Sequence, residues 1–367
     1  MKTVVFLSHF DGNLYLFRLP IMRYLANNGY RVIALVPSGE YSDLFAQDKI
    51  EHIDYKIKRS SLNPFSEIAV IFRLTRILKR VKPDILHCFT IKPNLYGAIA
   101  GRLAGVKTIY ATVTGLGSFF IDDSLKAKIV KNILLLGYYV IGKLCAKVLF
   151  QNSDDLNLFT QKKIVKVSKT LLIGSSGVDT NFWQKTKRGK KDKVTILFVG
   201  RLIKHKGILE FLKAARNLKN KHGDLIEFVI VGGGDKGNLF SLDSAKTIAR
   251  NNRVVFEGEQ KDIKPYYQAA DIFVLPSYRE GVSRSILEAM SMSLPIVTTN
   301  AVGCRDTIED QIGGFLIPIG DDAALEEAIE RLFNDQKLRV KMGKAARKRA
   351  VERFDVKAVV ERYAKLY

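Results

Sequence analysis

Short apolar runs separated by stretches of helical spacing recur along the whole chain. VVFLS at 4–8, RVIALVP at 31–37, IDYKIK at 53–58, DILHCF at 84–89 and KTIYATV at 107–113 have the length and β-branched content of buried strands. Between them, 14–28, 65–81 and 94–103 carry apolar residues at helical spacing, and a short helix is expected after the second strand. A long apolar helical pattern at 125–147 is followed by a strand at 148–151, a capped helix at 153–160 and a strand at 170–173. After Gly174-Ser175-Ser176-Gly177-Val178-Asp179 and a basic run at 185–193, the rhythm restarts with strands at 194–199, 226–231, 254–257, 272–275 and 295–298. Three helical patterns past Asp321 close the chain. The last, 355–367, is amphipathic and ends in Tyr363 and Tyr367, which suits packing back across another domain.

Such alternation predicts α/β architecture with two doubly wound parallel sheets. The expected domains are 1–184 and 185–350, with a terminal helix at 351–367 crossing back to the first. At 367 residues the chain has room for two cores of ordinary size, and an apolar fraction of 47% excludes a disordered chain.

Charge changes the picture more than composition does. Of a formal net charge of +22, the residues up to Lys187 hold 27 basic and 13 acidic groups, so +14 falls on the front half. Such a field attracts polyanions, anionic lipid headgroups or phosphorylated substrates. With no RNA-binding sheet signature, zinc spacing or helix-turn-helix pattern, nucleic acid ranks lowest as a partner. Cys88, Cys145 and Cys304 share no metal-ligand spacing and suit buried thiols in a reducing compartment; no metal site is expected. The VVFL run is too short for the apolar region of a secretory signal, so none is expected. Lysines flank the apolar helix at 125–147, whose uninterrupted core at 133–142 is too short to span a bilayer. It reads as a buried domain helix, or as one lying partly among headgroups.

The candidate chemistry centres on 271–289. A strand-like Ile272-Phe273-Val274-Leu275 leads to a loop bearing Glu280, and helical spacing then begins near Val282 and carries Glu288. Backbone N–H groups of Gly281, Val282 and Ser283 at that helix start are aimed at an anion. Two carboxylates eight positions apart span at most roughly 12 Å of helix, the reach of a nucleotide diphospho-sugar. A hydrolytic pair would instead face each other across one bond. Glu280 is therefore assigned to the transferred sugar and Glu288 to a ribose, the alternative being a solvated loop and a helix-surface glutamate. Gly200-Arg201 and Lys206-Gly207 follow the first strand of the second half, and two cations there would neutralise a diphosphate. Gly232-Gly233-Gly234-Asp235 is not the dinucleotide fingerprint, which disfavours a nicotinamide cofactor; its glycines read as a turn giving steric clearance. In the front half, Gly12 offers close backbone approach to a diphosphate, with a plain turn as the alternative. Lys92 either meets a phosphate or is solvated. The loop at Thr114-Gly115-Leu116-Gly117, with Ser118, Phe119 and Phe120 beyond it, suggests contact with a ligand or a surface.

Taken in order, Gly200-Arg201, Lys206-Gly207, Glu280 with Glu288, and Gly177-Val178-Asp179 followed by Phe182 resemble the family 4 retaining glycosyltransferases of the GT-B type. The resemblance runs over essentially the whole chain. It implies two Rossmann-like domains facing a cleft, no metal and no cofactor. It also implies Arg201 and Lys206 on the donor diphosphate, Glu288 on the ribose, Glu280 on sugar hydroxyls and the loop from Glu259 on the base. The backbone of Gly281, Val282 and Ser283 would take the distal phosphate. Ser8-His9, Leu14-Tyr15, Phe17-Arg18, Pro20-Ile21, Ser61-Leu62-Asn63-Pro64-Phe65, Gly115-Leu116-Gly117-Ser118-Phe119 and Ile121-Asp122 resemble the N-acetylgalactosaminyltransferases of bacterial protein N-glycosylation. That likeness implies UDP-GalNAc as donor and undecaprenyl-diphospho-N,N'-diacetylbacillosamine as acceptor. It further implies a peripheral position at the cytoplasmic side of the inner membrane, against an anionic surface. His9, Asn13, Arg18, Lys92, Thr114, Gly115 and Gly117 are the acceptor-side candidates. Thr114-Gly115 stands where many family members carry a histidine, and His9 and His87 are placed nearby by location alone, with structural roles as the alternative. A UDP-sugar epimerase of the same fold and a non-enzymatic basic lipid-binding protein are the competing classes.

Overall fold

A computed structural model describes residues 1–57, 63–117, 120–122, 124–186, 192–234 and 242–367, without the side chains of 126 and 242–246. Lys58, Ser60, Ser61, Leu62, Ser118, Phe119, Asp235 and the middle of the basic run, 187–191, lie outside the described residues.

The chain divides into two compact units, Met1–Ser176 with Val359–Tyr367, and Gly177–Ala358. The division precedes the expected boundary at 185 because Val178 and Trp183 are already core residues of the second unit. There Val178 N–H donates to the Phe354 carbonyl (2.9 Å), Val356 N–H donates to Val178 (2.9 Å), and the Thr180 hydroxyl donates to Asp355. The same bonds keep 351–358 with the second unit, so only 359–367 of the expected returning helix belongs to the first.

The first unit holds β1 (Thr3–Leu7), β2 (Arg31–Leu35), β3 (Glu51–Ile53), β4 (Ile85–Phe89), β5 (Thr108–Val113), β6 (Lys147–Phe150) and β7 (Thr170–Leu172). They form one parallel sheet in the order β3-β2-β1-β4-β5-β6-β7. Side chains alternate between its faces: Val5 and Leu7 enter one core, Val4 and Phe6 the other. Both faces are covered, which is why β1 is apolar from Val4 to Leu7 and β4 is apolar save for His87. β3 falls earlier than the expected 53–58. Pairing with β2 ends at Ile53, and Asp54 turns its carboxylate to the Ser38 N–H (2.8 Å). The helix Pro64–Val81 starts as its sequence requires, with Pro64 in the first turn and Asn63 accepting from the Phe65 N–H (3.0 Å). The helix Leu125–Leu144 ends three residues before expected, since Cys145 is extended and Lys147 opens β6.

In the second unit, β8 (Val194–Val199), β9 (Ile226–Val231), β10 (Val255–Gly258), β11 (Ile272–Leu275), β12 (Ile296–Thr299) and β13 (Gly314–Ile317) form a parallel sheet, order β10-β9-β8-β11-β12-β13. β13 was not among the expected strands; its four residues sit between Gly313 and Pro318, too short to show a period.

Candidate functional site

In the second unit the strand order reverses direction between β8 and β11. In open α/β sheets that reversal marks a binding crevice beyond the carboxyl ends. Gly200-Arg201 leave β8, and Pro276 through Glu280 leave β11, so residues nearly eighty positions apart in sequence meet at adjacent strand ends. The Gly200 N–H donates to Val231 (3.0 Å) and the Leu202 N–H to Gly233 (2.9 Å), tying the Arg201 loop to the end of β9. Gly232 supplies clearance as expected, but for chain rather than ligand: a Cβ there would overlap the Gly200 carbonyl oxygen. Arg201 itself is exposed. Glu259 follows β10, also exposed, with its carboxylate against Gly233.

Lys206 closes a single 3-10 turn, Lys204–Lys206, that is pressed against the loop after β11. The His205 carbonyl accepts from the Tyr278 N–H (2.9 Å) and the Ser277 hydroxyl (3.0 Å). Gly207 makes that approach possible. Its φ is +73°, and a Cβ would collide with the Pro276 carbonyl. The Lys206 ammonium is thereby brought onto the Glu280 carboxylate as an ion pair, the two side chains 18% and 12% exposed. Glu280 is fixed from its other side as well. Its N–H donates to the Val302 carbonyl (2.9 Å), and Gly303 (φ +76°) lets the loop after β12 pass where a Cβ would overlap the carbonyls of Glu280 and Gly281.

The helix Arg284–Ser291 begins beside this pair. Ser283 makes no side-chain cap; its hydroxyl lies 3.1 Å from that of Ser285. The positive end of the helix thus lacks a neutral side-chain oxygen over it and suits an anion. Glu288, one turn on, is buried, accepting from Arg284 Nε (3.0 Å) and the Tyr267 hydroxyl (3.1 Å). Burial raises its pKa above the ordinary carboxylate value, with Arg284 and Tyr267 opposing. Neither glutamate is the solvated surface residue of the alternative reading.

Sequence reasoning passed over Gly303 and Tyr278. Tyr278 donates to Glu210 (2.7 Å), and its pKa is pushed up to about 12, chiefly by burial. Gly303 was visible only as a glycine beyond a strand of the same sheet edge.

The first unit has its own reversal, between β1 and β4. His9, half-buried after β1, shares a 2.8 Å hydrogen bond with the Thr90 hydroxyl after β4. Thr90 holds φ +73° and ψ 161°, a region essentially confined to glycine, and was not singled out from sequence. Asn13 Oδ1 accepts from the Ser8 hydroxyl (3.0 Å), and Gly12 N–H donates to Asp11 (2.7 Å), both where β1 leads into the helix Asp11–Asn27. Thr114, Gly115 and Gly117 follow β5 at the same edge. Arg18 is buried, with its guanidinium 4.8 Å from the Phe89 ring centre. Lys92, expected to meet a phosphate or water, pairs with the Glu67 carboxylate (3.0 Å). His87 is enclosed, stacked 4.3 Å from Phe89 and bonded to Thr112 (2.7 Å) and Tyr367; burial drives its pKa well below the usual value. It holds the returning C-terminal segment in place.

Two doubly wound units, one carrying a lysine–glutamate pair and an uncapped helix start at its switch point, are the architecture of a nucleotide-ligand protein. Residues 4–148 match the family model for glycosyl transferase 4-like proteins, and 179–349 the model for glycosyl transferases group 1. An N,N'-diacetylbacillosaminyl-diphospho-undecaprenol alpha-1,3-N-acetylgalactosaminyltransferase from Campylobacter jejuni subsp. jejuni is 32% identical, over 99% of this chain and 97% of the relative. A UDP-Gal:alpha-D-GlcNAc-diphosphoundecaprenol alpha-1,3-galactosyltransferase from Escherichia coli is 29% identical over 84% and 81%. In fold, the chain is similar to Anabaena HepE, solved with UDP and glucose: TM-score 0.82, 19% identity, 100% and 99% coverage. The chain belongs to the family 4, group 1 glycosyltransferases of GT-B fold, and it is a hexosyltransferase.

Proposed function

We propose that this transferase moves GalNAc from UDP-GalNAc to undecaprenyl-diphospho-N,N'-diacetylbacillosamine, forming an α-1,3 linkage with retention at the anomeric carbon, in bacterial protein N-glycosylation. The observation that carries the reading is the Lys206–Glu280 pair beside the uncapped start of Arg284–Ser291, in a chain similar over its whole length to a transferase of that activity. Lys206, Arg201 and the N–H groups of Gly281, Val282 and Ser283 take the donor diphosphate. Glu280 meets the sugar hydroxyls, Glu288 the ribose, and the loop from Glu259 the base. Because Lys206 already sits on Glu280, donor binding draws its ammonium toward phosphate while sugar hydroxyls replace it as donors to the carboxylate.

The acceptor hydroxyl oxygen attacks the anomeric carbon on the face the diphosphate leaves. The carbon–oxygen bond to the diphosphate breaks, and the acceptor proton passes to a phosphate oxygen of departing UDP. Charge gathers on that group, so fixed cations and backbone donors supply most of the acceleration, in place of a divalent ion. The first unit binds the acceptor, with His9, Asn13, Thr114, Gly115 and Gly117 at the sheet edge and Gly12 near its diphosphate. Arg18 and Lys92 act by positioning, since one is buried and the other paired with Glu67. The enzyme works as a peripheral protein on the cytoplasmic side of the inner membrane; among the described residues no helix is long and apolar enough to cross a membrane.

The Escherichia coli relative favours a second donor, UDP-Gal, on a GlcNAc-diphosphate lipid. A UDP-release assay over UDP-GalNAc, UDP-GlcNAc and UDP-Gal, with and without each polyprenyl-diphospho-sugar, separates the two. Release that needs UDP-GalNAc and the bacillosamine lipid supports the proposal. Conversion of a UDP-sugar to its epimer with no acceptor and no net UDP released would instead mark an epimerase.

A further inference from the structure

In the first unit, the crossovers from β3 to β4, β4 to β5 and β5 to β6 all advance in one direction across the sheet. Right-handed crossovers then place the helices Pro64–Val81, Ile91–Leu103 and Leu125–Leu144 side by side on one face, the outer two packing against the middle one. Their inner sides fill the core beneath with Val70, Leu74, Tyr138 and Ile141. Their outer side is unusual. Leu125 (76% exposed), Ile129 (54%), Ile133 (63%) and Leu136 (66%) fall within about 80° of one side of their helix. On the first helix Phe65 (83%) and Phe72 (67%) do the same, whereas the large apolar residues exposed on the opposite layer, Leu16 and Tyr24, stay near 40%. An apolar stripe of this extent, repeated on the two outer helices of the layer, marks an interaction surface.

Charge identifies what covers it. The three helices carry ten basic residues and one acidic one. The acidic one, Glu67, is held by Lys92 and by Tyr96. Arg76, Lys128 and Lys143 are exposed beside the stripes, on side chains long enough to place a charge above a buried apolar stem. A second copy of this face would set ten cations against ten. A leaflet with anionic headgroups meets the charge while its acyl boundary takes the leucines, isoleucines and phenylalanines. We propose that this three-helix layer is the surface by which the enzyme lies on an anionic lipid bilayer. The polyprenyl-linked acceptor reading above gives it a reason to be there, but the test does not depend on that reading.

Co-sedimentation of the full chain with phosphatidylglycerol–phosphatidylethanolamine vesicles, against phosphatidylcholine alone, measures it. Strong, salt-sensitive binding is expected only with the anionic lipid. Ile133→Gln with Leu136→Gln, and separately Phe65→Gln with Phe72→Gln, weaken partitioning by about tenfold or more. Lys128→Glu with Lys143→Glu removes the preference for anionic lipid, while Tyr24→Gln and Leu209→Gln leave binding unchanged. Wild-type chain that stays in the supernatant at low salt, or stripe variants that bind as wild type does, would overturn the proposal. So would a concentration-dependent dimer by light scattering that the same variants dissociate, since a second copy would then own the surface. UDP release with acceptor in detergent is followed in parallel. If it is absent for every donor while vesicle binding behaves as stated, the functional reading fails and this surface stands.

Discussion

Replacing Lys206 with alanine separates catalysis from stability. The ammonium is 18% exposed and its one described carboxylate partner, Glu280, 12% exposed. A charged hydrogen bond is worth roughly 1.5–3 kcal/mol, and a loop carboxylate that turns toward water recovers part of that, leaving a cost of about 1 kcal/mol. For a unit of this size that lowers Tm by about 2–4 °C, and the protein stays folded at 25 °C. Turnover is another matter. Losing one fixed donor to a developing anion costs roughly 10²–10³ in kcat, or ~2.7–4 kcal/mol. In the intact UDP-sugar the oxygen still bonded to the anomeric carbon carries less charge than in departing UDP, so affinity for the donor falls far less than kcat, while affinity for free UDP falls with kcat. The measurements are steady-state UDP release at saturating donor, calorimetric UDP affinity and a melting curve. Lys206→Ala with kcat within about threefold of wild type, and unchanged UDP binding, would refute the reasoning. So would an activity loss matched by an equal loss of folded protein.

Other outcomes follow from the same geometry. Glu280→Gln lowers kcat well beyond its effect on UDP affinity; equal losses in both would argue against a sugar-side role. Gly303→Ala and Gly207→Ala meet backbone carbonyls at positive φ and each cost more than about 2 kcal/mol in urea unfolding, whereas Gly29→Ala, with φ +81° and open space around it, costs about 1 kcal/mol; equal costs at all three would discredit the loop packing. Thr90→Gly relieves about 1–2 kcal/mol of backbone strain yet removes the His9 bond, so Tm holds or rises while transfer slows; unchanged transfer would make the strain incidental. Burial raises Glu288, so the folded chain keeps its proton at pH values where the unfolded chain has lost it. Stability therefore falls as pH climbs from the ordinary carboxylate value through the folded one, and Glu288→Gln flattens that slope. Identical pH profiles would contradict it.

The strands were legible because both faces of each sheet are covered, so β1, β4, β8 and β11 are mostly apolar, with Thr3, His87 and Thr195 the exceptions, and are bounded by turn residues. β13 escaped because four residues show no period, and the domain boundary slipped because Val178 and Trp183 look like linker until their core partners are known. Strand order needs three dimensions, and with it the adjacency of Arg201 to the loop after β11. The residue types at the donor site could be read from sequence because anion chemistry limits them to cations, glycines and helix starts. What fixes them could not: Gly303 and Tyr278 act on Glu280 and Lys206 through backbone packing, which leaves only a lone glycine or tyrosine in the sequence. The partners of Lys92 and His87 were equally hidden, since Glu67 and the Tyr367 hydroxyl are each distant in sequence; for His87 the contact is the structural role given as the alternative.

The most direct test of the account is a crystal structure of the chain with UDP bound, grown without divalent metal. It is expected to place the diphosphate against Lys206, Arg201 and the start of the helix Arg284–Ser291, with the ribose at Glu288. Nucleotide lodged away from those groups, or bound only when magnesium or manganese is supplied, would contradict it.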